Sequence, residues 1–273
     1  MAFYKLTFSP TGRTQAVADI LGYRFGKNPV CVDLSKPDVD VANLQLSKKD
    51  FVLVSVPCYG GRVPALATQR LQGLQANGSL CVLAVVYGNR AFDDALIELY
   101  DIMTAAGLRC IAGVAAVAEH SIFRTFASQR PGEGDTMQLL DFARQIVARV
   151  REGVADLELE VPGERPYKEM PEFTLKPHAE ENCTGCGTCA KQCPAQAIPA
   201  SHPIETDEEV CIACQRCVEV CPHGVRKVGL LARTQAYRML QGPCSTPKEN
   251  QLFLAEHRPQ QSEGTEDVTE DAE

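Results

Sequence analysis

The feature that most constrains this chain is a cysteine pattern that occurs twice. Each copy reads C-x-x-C-x-x-C-x-x-x-C-P, and the two copies supply eight of the 13 cysteines. The first run consists of Cys183, Cys186, Cys189 and Cys193. The second consists of Cys211, Cys214, Cys217 and Cys221. Cysteines at such short, repeated spacings are typical ligands of metal centres, so the sequence predicts a metal-binding region built from two equivalent parts.

Two other uses of cysteine explain less of this pattern. A zinc site would take two C-x-x-C pairs, such as Cys183/Cys186 and Cys211/Cys214, and would leave four regularly placed cysteines without a role. A disulfide framework is typical of small secreted proteins. This chain has 273 residues and an odd number of cysteines, and we expect no export signal in its first residues.

The two runs resemble those of bacterial-type ferredoxins, which hold 4Fe-4S clusters and carry single electrons. Two complete runs imply two clusters. In that family the fourth cysteine of each run ligates the other cluster. The resemblance therefore implies that one cluster is held by Cys183, Cys186, Cys189 and Cys221. It implies in the same way that the other is held by Cys193, Cys211, Cys214 and Cys217.

Length, composition and charge favour a protein of two domains. The chain has 273 residues, 45% of them hydrophobic, and a net charge of -8, and this length exceeds one average domain. No stretch approaches the roughly 18 apolar residues that a membrane span needs, and we expect a cytoplasmic protein. The acidic balance argues against nucleic acid as a partner, because a phosphate backbone recruits clusters of Lys and Arg.

Apolar runs and helical periodicities alternate in the first part of the chain. Five runs have the length and composition of buried strands, at 3–8, 30–32, 51–56, 80–86 and 108–117. Several are apolar at successive positions, as expected for strands that are covered on both faces. Helical stretches lie between and after them, near 16–21, 66–74, 92–106 and 137–154. This alternation predicts an α/β fold with a doubly wound parallel sheet of five strands.

The rest of the chain divides by composition. Four prolines within 157–177 predict a linker between the sheet domain, 1–156, and the cysteine runs, 178–228. Apolar and basic residues at helical spacing predict a helical extension over 229–256. Residues 257–273 are acidic and poor in hydrophobic side chains, which is typical of a disordered tail.

Three loops follow the first, third and fourth predicted strands, at the edge where open parallel sheets bind ligands. The first opens a helix, where hydroxyls and backbone donors can converge on a phosphate. Its residues are Ser9, Thr11, Gly12, Arg13 and Thr14. The other two loops supply Pro57, Tyr59, Gly60, Gly61, Tyr87, Gly88 and Asn89. The alternative is that the first loop is an ordinary capped turn and that the tyrosines only cover the sheet edge.

These loops resemble the FMN site of flavodoxins. The resemblance implies that the first loop, S-x-T-G-x-T, holds the FMN phosphate, and that the other two hold the isoalloxazine ring against their tyrosines and glycines. The chain departs from the family at Arg13, where flavodoxins often carry a small polar residue, and it has no tryptophan. As a whole it is similar to flavodoxin–ferredoxin fusion proteins, with a flavodoxin-like domain and a smaller α+β two-cluster ferredoxin domain.

Such a fusion implies electron transfer. A flavin handles two electrons and each cluster one, so we expect single electrons to pass between the clusters and FMN. They would come from or go to a redox partner protein, either a ferredoxin-like donor or a client enzyme.

Two alternatives stay open. The flavin could reduce a small substrate that is contacted by residues after the fifth strand, such as His120, Arg124, Arg130 or Asp135. The domain could instead lack FMN and serve as a docking subunit of a larger redox complex. The protein is therefore expected to be an electron carrier or an oxidoreductase.

Overall fold

A computed structural model of the protein describes residues 2–257. The acidic tail predicted for 257–273 lies outside the described residues apart from His257. The elements are, in chain order, β1 (Phe3–Thr7), α1 (Arg13–Gly22), β2 (Val30–Asp33), β3 (Phe51–Pro57), α2 (Ala65–Leu71), β4 (Leu80–Tyr87), α3 (Ala95–Ala105), β5 (Arg109–Val117), α4 (Glu133–Glu152), β6 (Leu157–Glu158), β7 (Pro177–Ala179), α5 (Thr188–Lys191), α6 (Arg216–Glu219), β8 (Arg226–Val228), α7 (Leu230–Gln241), β9 (Gln251–Leu254) and β10 (Glu256–His257). No helix within 2–257 is long and apolar enough to cross a lipid bilayer.

Six strands form the main sheet in the order β2-β1-β3-β4-β5-β9. The first five are parallel neighbours, and the order 2-1-3-4-5 is the flavodoxin-like arrangement of doubly wound folds. The five predicted strands are confirmed, with each end within one residue of its predicted position.

Helices cover both faces of this sheet. One face packs against α1 and α4 through Val17, Ala18, Leu21, Leu139, Ala143 and Ile146. The other packs against α2 and α3 through Ala67, Leu71, Leu96, Leu99 and Met103. Six of the seven residues of β3 are buried. Double coverage explains why the central strands are apolar at successive positions rather than at alternate ones.

The sixth strand, β9, is antiparallel to β5, with Ala112 opposite Leu254 and Ala115 opposite Gln251. The predicted helical extension over 229–256 is therefore wrong in its last part, because α7 ends at Gln241 and the chain then returns to the sheet. The open edge of β5 offers unpaired N–H and C=O groups that a further strand can satisfy. β10 follows and pairs with β6.

The linker between β6 and β7 contains no helix or strand over 159–176. It is nevertheless fixed to the sheet domain. The Asp94 carboxylate accepts the backbone N–H groups of Glu164 and Lys168 at 2.9 and 2.8 Å. Arg165 pairs with Asp101 at 2.5 Å. The linker therefore runs along the α3 side of the sheet domain as an ordered segment.

The cysteine runs fold into a small α+β unit, the cysteine domain (177–228), in which β7 pairs antiparallel with β8. The two runs have the same backbone shape. Gly185 and Gly187 have φ angles of 68° and 72°, and Ala213 and Gln215, at the equivalent places, have 52° and 65°. A short helix follows in each case, α5 or α6. Alternating left-handed residues curl the chain tightly, which lets closely spaced cysteines face a common centre.

Candidate functional site

The loop after β1 is a tight turn that opens α1. Gly12 adopts a left-handed φ of 83° at the N-cap, and the Ser9 hydroxyl accepts the backbone N–H of the third helical residue at 2.9 Å. None of the described residues accepts a hydrogen bond from the backbone N–H groups of Thr11, Arg13 or Thr14. Free donors at the positive end of a ten-residue helix suit an anion such as a phosphate.

The side chain of Arg13 is engaged elsewhere. Its Nη2 pairs with Glu119 at 2.6 Å, and its Nη1 lies 3.9 Å from Glu219 of α6. Burial raises the pKa of Glu119, but hydrogen bonds from Arg13 and from the Gln129 N–H outweigh burial and lower the pKa overall. Glu119 is therefore a carboxylate. Arg13 ties the loop to its neighbours, so the backbone amides and the hydroxyls of Thr11 and Thr14 are the donors left for a phosphate.

The three predicted loops meet around two adjoining cavities. The larger, about 350 Å³, is lined by Tyr59, Gly60, Tyr87 and Gly88 from the loops after β3 and β4. The smaller, about 70 Å³, is lined by Thr11, Arg13, Thr14 and Pro57. The residues that line both are Cys58, Tyr59, Tyr87, Gly88, His120 and Ser121. We call the larger one the ring cavity, since it lies where the flavin ring is predicted.

Four predicted site residues line neither cavity. Ser9 and Gly12 shape the first loop, and Gly61 packs against Asp93, whose Oδ2 lies 2.2 Å from where a Cβ on Gly61 would be. Asn89 is buried, and its amide donates to two carbonyls of the segment 244–246 while its Oδ1 accepts the N–H of residue 248. The Asn89 side chain thus holds the C-terminal segment, and only its backbone is left for the predicted ring contact.

Further walls of the ring cavity were missed in the sequence. They come from the linker (171–175), the second cysteine run (212–213) and α7. The segment after β5 (120–122) also lines the cavity and includes His120, which the small-substrate alternative predicts. The linker approaches closely because Gly60 has no side chain; a Cβ there would lie 2.3 Å from Pro171. Phe173 packs edge-on against Tyr59, with ring centroids 6.1 Å apart. An aromatic residue among linker prolines is the one signal that could have indicated this contact.

The loop after β3 is held rigidly by a buried ion pair. Arg62 donates to both carboxylate oxygens of Glu98 at 2.7 and 2.9 Å, and Glu98 also accepts the backbone N–H of Val63 at 2.8 Å. Glu98 is 5% exposed. Two charge-assisted bonds in this geometry fix the position of the tyrosine and glycines that precede them.

His120 closes one side of the ring cavity. Its Cδ2 lies 2.6 Å from where a Cβ on Gly88 would be. Its Nδ1 accepts the backbone N–H groups of Ile122 and Phe123 at 3.1 and 3.2 Å, so the proton of the neutral ring is on Nε2. Burial lowers the pKa of His120 to about 4. His120 is therefore neutral near pH 7 and unable to neutralise an anion there.

The lowered pKa predicts a pH dependence of stability. The folded-state pKa of His120, about 4, lies below the ordinary value of 6.5, so unfolding takes up a proton between these values. Its contribution to stability is complete above pH 6.5 and is lost as the pH falls toward 4. When the pH is lowered from 7 to 5, the unfolding free energy of the native protein should fall by about 2 kcal/mol more than that of the His120→Gln variant.

Urea unfolding at several pH values measures this difference. His202→Gln, at an exposed position, is the matched control and should follow the native curve. Equal losses in His120→Gln and in the native protein would show that His120 does not gain a proton on unfolding.

The cysteines form two quartets that draw on both runs. Cys183, Cys186, Cys189 and Cys221 line one cavity. Cys193, Cys211, Cys214 and Cys217 line another. Within 2–257 no three Cys, His, Asp or Glu side chains are arranged to hold a single metal ion. Quartets that surround a cavity suit a cluster in which each of four irons takes one thiolate.

The quartets differ in exposure. Cys186 of the first quartet is exposed, and Cys183 and Cys221 are half-buried. In the second quartet Cys193, Cys214 and Cys217 are each 8% exposed. The first quartet therefore lies nearer to solvent than the second.

The second quartet lies next to the ring cavity. Ile212 lines both the ring cavity and the cavity of that quartet. Arg216 donates to the carbonyl of Pro10 in the first loop at 3.0 Å, and Arg70 of α2 donates to the carbonyl of Pro194 at 2.7 Å. The cysteine domain is thus packed on the carboxyl edge of the main sheet, over the site that the three loops form.

A comparison with protein-family models decides the nature of this domain. Residues 177–237 match the family described as a 4Fe-4S dicluster domain. The chain thus joins a sheet of flavodoxin-like strand order to a domain that matches the 4Fe-4S dicluster family, and we refer to it as the fusion. Its cysteine domain is an iron–sulfur domain, and iron–sulfur domains serve one-electron transfer. The fusion therefore has an electron-transfer role, which requires a redox partner.

Several solved structures are similar to the N-terminal half of the fusion. The flavodoxin of Streptococcus pneumoniae TIGR4 is 21% identical over 54% of this chain and 99% of its own, with a TM-score of 0.39. Flavodoxin 1 of Bacillus cereus is 14% identical over 54% and 98%, with a TM-score of 0.42. Megasphaera elsdenii flavodoxin is 16% identical over 52% and 98%, with a TM-score of 0.34. A comparison with curated protein sequences gave no match.

Proposed function

We propose that the fusion passes single electrons between two 4Fe-4S clusters and one FMN, and exchanges them with a redox partner protein that is either a ferredoxin-like donor or a client enzyme. The observation that carries this proposal is the position of Ile212, which lines both the ring cavity and the cavity of the second quartet. A cluster and a flavin on the two sides of one side chain would be near neighbours.

Two clusters are supported by the cysteine geometry. Each quartet takes three cysteines from one run and the fourth from the other, and each surrounds a cavity of its own. A thiolate quartet supplies one ligand to each iron of a 4Fe-4S cluster. The zinc alternative uses only half of these cysteines, so the quartets favour clusters.

FMN is supported by the first loop and the adjoining cavities. The unpartnered N–H groups of Thr11, Arg13 and Thr14 would bind the phosphate, and Tyr59 and Tyr87 would contact the ring. When bound, FMN would supply a centre that stores two electrons beside centres that carry one each. The linker, α7 and His120 surround the ring cavity and would limit the access of water to it.

The difference in exposure suggests an order for the centres. A partner would meet the first quartet, where Cys186 is exposed. The second quartet lies deeper and adjoins the ring cavity, so it would stand between the first quartet and the flavin. This order of centres serves electron flow in either direction.

The small-substrate alternative has less support. Of its candidate contacts, His120 lines the ring cavity. The other three are paired within the protein: Arg124 pairs with Glu219, and Arg130 pairs with Asp135 at 2.5 Å and donates to the carbonyl of residue 248. These side chains join the parts of the protein to one another. A carrier that exchanges electrons with another protein needs no further side chain in the ring cavity.

Cofactor analysis combined with a reductive titration tests the proposal. Anaerobically prepared protein should contain about eight irons, about eight sulfides and about one FMN per chain, and should take up about four electrons. Four-iron clusters without FMN would favour the docking-subunit alternative. Zinc alone, or at most four irons after reconstitution under reducing conditions, would contradict the two-cluster assignment.

A further inference from the structure

Arg226 of β8 is a charged side chain in an interior position. It is 1% exposed and is the largest of the fully buried side chains within 2–257. Arginine is almost never fully buried without a partner, because removing a charge from water costs several kcal/mol unless another charge compensates it. An interior guanidinium therefore calls for a compensating negative charge.

The hydrogen-bond partners of Arg226 are all neutral. Nη1 donates to the Thr206 hydroxyl at 2.5 Å, and Nη2 donates to the carbonyls of Pro203 and Glu205. Nε is buried and has no partner among the described residues. These acceptors satisfy three N–H bonds but carry no charge, and no carboxylate of the described residues pairs with the guanidinium.

The quartets adjoin Arg226, and their cysteines would carry negative charge as thiolates when they hold clusters. Arg226 lines the cavity of the first quartet, as does its acceptor Pro203. Its other acceptor, Thr206, lines the cavity of the second quartet. The guanidinium thus lines the cavity of the first quartet and is hydrogen-bonded to a residue that lines the cavity of the second.

We propose that Arg226 is the buried counter-charge of both clusters and holds their reduction potentials up. The inference rests on the proposed clusters. Each cluster gains one negative charge when it accepts an electron, and a nearby buried cation stabilises the reduced form more than the oxidised form. Cluster potentials are set by net charge, hydrogen bonds and exposure. A cation near both quartets also attracts both reduced clusters, which offsets their mutual repulsion.

The test compares Arg226→Gln with Arg226→Lys and with Lys227→Gln, using anaerobic redox titration of the full chain followed by spectroscopy of both clusters. Arg226→Gln removes the buried charge and should lower the equilibrium constant for one-electron reduction about tenfold at each cluster, a shift of about 59 mV to more negative potential. The control variant, Lys227→Gln, removes a solvated charge, because the Lys227 side chain is 56% exposed. It should shift neither potential.

Every outcome bears on the proposal. Arg226→Lys keeps the charge. The proposal is supported if the potentials stay near the native values in Arg226→Lys and are lower in Arg226→Gln. If Arg226→Gln fails to hold clusters while Arg226→Lys holds them, the positive charge is required for the clusters to bind, and this outcome also supports a counter-charge. Native potentials in Arg226→Gln, or equal effects of both variants, would overturn it. A native protein without clusters would instead refute the proposed function, which iron analysis detects separately.

Discussion

Replacing Cys221 by alanine should destroy the cluster of the first cysteine run, although Cys221 belongs to the second run. The structure places Cys221 in the cavity of Cys183, Cys186 and Cys189, so its loss leaves one iron of that cluster without its thiolate. The iron content should fall from about eight to about four per chain if the whole cluster is lost. If a three-iron cluster remains in its place, the content should fall to about seven. Anaerobic iron analysis and spectroscopy of the reduced protein measure this change.

Matched variants identify which cluster is lost. The spectrum of Cys221→Ala should equal that of Cys186→Ala, and the spectrum of Cys193→Ala should equal that of Cys214→Ala. Cys244→Ala removes a buried cysteine that lies outside both quartets and should leave all the iron in place. If Cys221→Ala instead matched Cys214→Ala, each run would hold a cluster alone and the crossed assignment would be wrong.

Replacing Thr14 by glutamate should release FMN and leave the clusters intact. Thr14 is 3% exposed and lines the small cavity at the N-terminus of α1. A carboxylate there would repel the phosphate and remove a donor, which should weaken FMN binding by about 2 to 4 kcal/mol. Flavin fluorescence after dilution or dialysis measures the loss, and the reductive titration should fall from about four to about two electrons per chain.

Thr104→Glu is the control for this substitution. Thr104 lies in α3 at an exposed position, so the same change in charge should leave FMN bound. Iron and sulfide should stay at native levels in both variants. Unchanged FMN affinity in Thr14→Glu would mean that the phosphate is held elsewhere and that the first loop has been assigned incorrectly.

Local patterns explain which parts of the fold were predictable. The central strands β3, β4 and β5 are buried on both faces, so each appears in the sequence as a continuous apolar run with sharp ends. The cysteine quartets were predictable because the spacing within each run and the Cys-Pro step together match a known ligand pattern. The pattern of each strand and of each run lies within about a dozen consecutive residues, and only the exchange of the fourth cysteine involves both runs.

Contacts between distant segments explain what was missed. Asn89 binds the segment 244–248, more than 150 residues away, and nothing in the sequence near Asn89 indicates that partner. β9 is a short strand whose partner edge on β5 exists only after the sheet has formed. Arg226 looks like an ordinary surface arginine beside Lys227, and only the packing of the two quartets shows that it is buried.

The return of the chain to the sheet in β9 changes what kind of fusion this is. The iron–sulfur domain is inserted into the flavodoxin-like fold, with the linker leading out and the segment after α7 leading back to the edge of β5. A domain attached at both ends cannot swing away on one hinge. The spacing between the second quartet and the ring cavity is then set by folding rather than by chance encounters of a tethered carrier, so the two sites should keep a constant separation.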